Sequence, residues 1–178
     1  MKRMIRIFDR LSIVGGWASG LMICLGLVLV VAEILVRSIA GKTLYVAEEY
    51  SGYLMCGLTF CALAYTLREK GHIRMTFLQK AVSGRQRVFL DQACLVVGAV
   101  FSALMTYHTF LLFWDSVVSR SQSMQISETP LAIPQIALPL GSLLLTLQFV
   151  SEFLKACLVL KQDTEGLEII AEAEDLGR

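Results

Sequence analysis

The residues of this sequence that could do chemistry are few. Glu33, Glu48, Glu49, Arg68 and His108 lie within or at the ends of long apolar blocks, and Cys24, Cys56, Cys61, Cys94 and Cys157 fall inside them. An ionisable group among apolar neighbours is expensive unless paired, so each is a candidate for carrying a proton or cation, ligating a cofactor or holding a partner. Glu33 precedes Arg37 by four residues, a spacing that lets the two pair on one helix face. The sharper alternative is a titrating membrane glutamate of the kind used by small multidrug exporters, which are shorter chains with the acid nearer mid-helix. Glu48 and Glu49 open the second block, where unsatisfied N–H groups and the helix dipole favour negative charge. Capping accounts for one of them, and the other is expected to meet a basic group on a neighbouring helix or another subunit. Arg68 closes the same block, where a cation complements the dipole, and His72 follows as an expected interface residue. A haem-binding bundle would need paired, deep histidines, and His108 stands alone within the blocks, so the redox alternative is disfavoured. The cysteines form no Cys-x-x-Cys pair and avoid the polar loops, which argues against a metal cage or a disulfide framework. We therefore expect no catalytic centre, no metal and no cofactor.

The elements that carry these residues follow from composition. Of 178 residues, 56% are hydrophobic and 17% charged, and mean hydropathy is +0.65. Such a chain is too apolar for an ordinary soluble domain. Four blocks, about 11–36, 47–67, 88–114 and 130–160, each reach the roughly 20 residues that a helix needs to cross ~30 Å of hydrocarbon. Backbone groups in lipid must be satisfied within the segment, so blocks of this length are helices. The first block is too long for a signal peptide and ends at Arg37, which predicts an uncleaved span. The expected fold is thus an all-α integral membrane protein, with a membrane domain over 1–162 and an acidic tail over 163–178. Basic residues crowd the N-terminal segment and the link between blocks two and three, while the other links hold only Arg37, Lys42 and Arg120. The positive-inside rule then places both termini in the cytoplasm. Nucleic-acid binding is excluded because no basic stripe is interleaved with stacking aromatics outside the blocks.

The second link gathers Ile73, Met75, Phe77, Leu78, Ala81 and Val82 on one helical arc, ending at Gly84. A short amphipathic cytoplasmic helix over 73–84 is expected, lying in the headgroup plane or packing on the bundle. Arg74 falls in its apolar arc and must snorkel or find a partner. Gly52 and Cys56, followed by Gly57, suit close helix approach, within the bundle or to a partner. The fourth block starts with Thr129 as an expected N-cap and Pro130 at the first helical position. Pro134, Pro139 and Gly141 then predict a kinked or partly unwound start.

These residues together resemble a known family. The run Glu48-Glu49-x8-Gly57-Leu58-Thr59-Phe60 through Ala64, Arg68-Glu69, Gly71-His72-Ile73-Arg74-Met75-Thr76-Phe77-Leu78, and Thr129-Pro130-Leu131-Ala132-Ile133-Pro134-Gln135 to Pro139-Leu140-Gly141-Ser142 look like the small membrane subunit (DctQ type) of tripartite ATP-independent periplasmic (TRAP) transporters. The resemblance implies a bacterial inner-membrane importer of an organic acid, driven by a sodium gradient. Its partners would be a large permease subunit, which carries the substrate and ion sites, and a periplasmic substrate-binding protein. The small subunit would be a non-catalytic scaffold, with Glu48, Glu49, Arg68 and His72 in structural or subunit contacts. Consistent with that role, the blocks are expected to lack the buried charges, discontinuous helix pairs and inverted repeats of a self-sufficient carrier.

Overall fold

The computed structural model describes residues 2–43, 45–69, 85–125 and 127–160. The expected amphipathic link over 73–84, with His72 and Arg74, and the acidic tail over 163–178 lie outside them. Five helices are described: α1 (Lys2–Ala40), α2 (Tyr45–Arg68), α3 (Arg85–Val118), the single-turn α4 (Ala132–Gln135) and α5 (Ala137–Leu160). Four segments are long and apolar enough to cross a membrane: Arg3–Ala40, Tyr45–Arg68, Gln92–Val118 and Ala132–Cys157. The chain is therefore an all-α, multi-pass membrane protein.

Two helices outrun their apolar blocks. α1 begins at Lys2 rather than near Leu11, and its 39 residues span about 58 Å at 1.5 Å per residue, almost twice a hydrocarbon core. α3 likewise starts at Arg85 and ends at Val118. Helical hydrogen bonds are as well satisfied in water as in lipid, so the apolar length sets the membrane crossing and not the helix end.

Gly41 terminates α1 with a left-handed φ of 61°, and its N–H reaches the Arg37 carbonyl at 3.2 Å. That conformation favours glycine and turns the chain sharply into α2. Among the described residues α5 packs on α1, α2 and α3, whereas α3 meets the bundle chiefly through α5. Close approaches place α5 at the centre. A Cβ on Gly141 would stand 2.5 Å from the Phe60 backbone carbonyl of α2, and one on Gly98 of α3 would stand 2.5 Å from the Phe149 ring of α5. Gly15 of α1 similarly lies against the Cys61 carbonyl, at 2.8 Å from its would-be Cβ.

The interior inverts the usual order of a soluble protein. Six hydrophobic residues are buried among those described, against twelve polar or charged ones, while Trp17, Leu21, Leu27, Val97, Phe101 and Trp114 are exposed. An exposed apolar shell around a polar seam is stable in lipid and would aggregate in water. The seam follows α5 at helical spacing through Ser142, Gln148, Ser151, Glu152 and Lys155.

The start of the fourth span is broken, as its prolines dictate. α4 and α5 are separated at Ile136, and Pro139 cannot donate to the Gln135 carbonyl one turn back. The expected N-cap is corrected: the N-cap position of α4 is Leu131, which makes no side-chain cap bond. Pro130 forms an isolated bridge with Gln122 instead, and that pairing draws Thr129 away into the preceding loop.

Candidate functional site

Polar side chains are concentrated at the two ends of the bundle. At the end that carries Lys2, α1 and α5 share a buried ionic network. Lys155 Nζ lies 3.0 Å from both carboxylate oxygens of Asp9 and 2.9 Å from Glu152 Oε1. The three side chains are only 10–12% exposed. Gln148 Nε2 donates to Asp9 Oδ1 at 3.1 Å and to Glu152 Oε1 at 3.2 Å, and its Oε1 accepts from Ser12 Oγ at 2.6 Å. Ser151 Oγ adds a 3.2 Å bond to Asp9 Oδ1. The spacing of 148, 151, 152 and 155 on one face of α5 aims these groups at a single side of α1. One ammonium thus serves two carboxylates, and every member of the network has a partner.

This network corrects the expectation that buried charges are lacking. Its residues were legible as a pattern, since Gln148, Ser151, Glu152 and Lys155 recur at three- and four-residue spacing in the fourth block. Asp9 gives no such signal, because it sits among arginines ahead of the apolar run and becomes buried only because α1 extends below Leu11.

At the opposite end Glu49 organises the loop between α3 and α4. Its carboxylate accepts from Tyr53 Oη at 2.6 Å and from Ser127 Oγ. Ser127 accepts from Thr129 Oγ1 at 2.9 Å, and the Thr129 and Tyr50 hydroxyls lie 3.2 Å apart. Backbone bonds from Ser123 N to Thr129 O (2.9 Å) and from Leu131 N to Ser121 O (3.0 Å) close the loop into a small hairpin. Arg120 and Glu128 take positive φ values of 50° and 46° to make its corners. Among the described residues Glu49 meets hydroxyls, because the loop folds back over the start of α2. Glu48 is exposed and is the acid in the first turn of α2, where the helix dipole favours it.

The remaining expected residues are distributed differently. Arg37 and Glu33 form their pair at 2.9 Å, with the arginine side chain 63% exposed. Arg68 bonds its neighbour Glu69 at 2.7 Å and is buried, with Nε lacking a partner among the described residues. Gly57 packs inward against Met22, whose Sδ would be 3.0 Å from an added Cβ, whereas Gly52 has nothing within 4 Å. The small residues of α2 thus serve two different faces. Between α3 and α5, Thr106 pairs with Thr146 at 3.2 Å and Thr109 with Ser142 at 3.1 Å. His108 lies on the exposed side of α3, its ring 5.4 Å from that of Tyr107. No group of three or more His, Cys, Asp or Glu side chains among the described residues is placed to hold a metal.

Residues 26–158 match the family described as tripartite ATP-independent periplasmic transporters, DctQ component. The chain belongs to this family. It is also similar to the ectoine TRAP transporter small permease protein TeaB of Halomonas elongata, at 25% identity over 148 residues, covering 77% of this chain and 72% of that protein. The DctQ match spans α2, α3, α4 and most of α5, and enters α1 at Gly26. It includes the Glu49 clamp and the α5 half of the ionic network, whereas Asp9 and Ser12 precede it. DctQ proteins are transporter components, so the function of this chain is that of a TRAP transporter subunit.

Proposed function

We propose that this chain is the small, non-catalytic scaffold subunit of a sodium-driven TRAP importer for an organic acid. A large permease subunit would carry the substrate and ion sites, and a periplasmic binding protein would deliver the solute. The observation that carries the reading is the use to which the buried polar groups are put. Asp9, Gln148, Glu152 and Lys155 satisfy one another across α1 and α5, and Glu49 is engaged by Tyr53 and Ser127. Groups locked in this way hold helices in register, which suits a brace against which a second subunit moves. Pairing of Glu33 with Arg37 removes the motive for an exporter built on that glutamate.

The basic N-terminal segment and the second link support a cytoplasmic location for both termini in a bacterial inner membrane. Gly52, with open space above it, suits close approach of a helix from the large subunit; Arg68, His72 and Arg74 are the corresponding candidates at the cytoplasmic surface. The ectoine named for TeaB is a property of that protein, and the substrate of this system is left at the level of a carboxylate-bearing solute.

The test is reconstitution. Vesicles containing this chain alone should accumulate no organic acid under an inward sodium gradient, and addition of the large subunit and binding protein should restore uptake. Accumulation by this chain alone would overturn the proposal.

A further inference from the structure

A cleft of about 230 Å³ opens between α1 and α2 at the end that carries Arg37. It is smaller than the ~300 Å³ at which sites for drug-sized ligands begin, so it suits a compact polar group. Its walls bring together Glu33 and Arg37 from α1, Glu48 and Ser51 from α2, and Tyr45 at the turn. Arg37 spends one N–H on Glu33, and the other donors of its guanidinium fork are available to an anion. The Glu48 carboxylate has no hydrogen-bond partner among the described residues and is exposed. A cation donor and an acid acceptor therefore face one small space, with the acids in excess by one.

The cleft is continuous with an apolar track. Ile23, Leu27, Val30, Ile34 and Arg37 recur every three or four residues along one side of α1, and the four hydrophobic members are all exposed. From Ile23 to Ile34 the track runs about 16 Å at 1.5 Å per residue, close to the ~15 Å depth of one leaflet. Val30 and Ile34 also line the cleft itself. The polar group bound there would thus stand at the head of an exposed apolar helix face about one leaflet long.

We propose that this cleft is a binding site for an aminophospholipid of the phosphatidylethanolamine type. Arg37 binds the phosphate, the primary ammonium donates to Glu48, and one acyl chain lies along Ile34, Val30, Leu27 and Ile23. The charge pattern sets the selectivity. A phosphatidylglycerol headgroup brings a phosphate with no ammonium to a cleft that carries two acids. A phosphatidylcholine headgroup carries a quaternary ammonium, which has no N–H to give Glu48. Neither inference depends on which solute is transported.

The full chain, delipidated in detergent, is titrated with phosphatidylethanolamine, phosphatidylcholine and phosphatidylglycerol, and bound lipid is read by native mass spectrometry. Phosphatidylethanolamine should bind about tenfold tighter than the other two, and Arg37→Gln and Glu48→Gln should each reduce that binding by about tenfold, the effect of one lost charge-assisted bond. Unchanged thermal melting of both variants shows that they fold. Soluble phosphoethanolamine at equal concentration should not displace the lipid; displacement would assign the cleft to a free headgroup and remove the acyl track. Equal retention of the three lipids, or unchanged retention in both variants, overturns the proposal. A photoreactive phenylalanine analogue in place of Ile34 should cross-link lipid in native membranes, and capture of the large subunit instead would assign the cleft to a protein partner.

Discussion

Lys155 is the position at which the structure makes its most demanding prediction. Its ammonium lies 3.0 Å from Asp9 and 2.9 Å from Glu152, so removal leaves two carboxylates buried with no cation. Breaking a buried ion pair in this manner costs about 3–5 kcal/mol, and the lower figure applies here because the network sits at the end of the bundle. For a chain of this size each kcal/mol moves the melting temperature by roughly 2–4 °C, so Lys155→Met should lower it by about 6–12 °C. Methionine preserves most of the aliphatic stem, which confines the change to the charge. Neutralising one acid is different in kind. Asp9→Asn or Glu152→Gln leaves one carboxylate against one ammonium, loses a hydrogen bond worth about 1 kcal/mol and should shift melting by roughly 2–4 °C. The triple variant, with no charge left, should recover much of the Lys155→Met loss, since neutral replacement of buried ions is often tolerated. Thermal unfolding of the detergent-solubilised protein, followed by size-exclusion chromatography with fluorescence detection, gives the order directly. If Lys155→Met melted within ~2 °C of the parent, or if the two acid variants were the more damaged, the network would not be the tie that its geometry describes.

Other outcomes follow from the helix contacts and from the charge pattern of the sequence. Gly141→Val should destabilise by about 1–3 kcal/mol through forced separation of α5 from the Phe60 backbone of α2, whereas Gly52→Ala, with open space above it, should leave thermal melting unchanged. Gly98→Ala should fall between them, because the obstacle is the Phe149 ring and a side chain yields where a backbone does not. Glu49→Gln replaces one acceptor oxygen by a donor facing Tyr53 or Ser127 and should speed amide hydrogen exchange over residues 119–131, without altering exchange in α3. A reporter fused after Arg178 should be active only in its cytoplasmic form, and periplasmic activity would contradict the charge asymmetry.

How much of this was legible in the sequence depended on whether the deciding interaction was local. Four spans could be read because apolar block length is set by hydrocarbon thickness and by nothing else in the chain. The Glu33–Arg37 pair was readable for the same reason, since both ends lie one helical turn apart. Glu49 was not, because its partner Ser127 is 78 residues away and only a folded loop brings it near. Asp9 and Lys155, 146 residues apart, fail the same test twice over. Their contact needs α1 to run on as a helix past its apolar block and α5 to present its polar face to that extension. The α5 half of the network carried a signal, a polar stripe at three- and four-residue spacing in an apolar helix, and such a stripe in lipid demands a partner. A stripe of this kind tells which face turns inward; it does not tell whether the answering group is a proton path or a tie. That distinction rests on satisfaction: Lys155, Gln148 and the two acids consume one another's donors and acceptors, and a network closed on itself holds helices together, whereas a path for protons or ions needs a group that can let go.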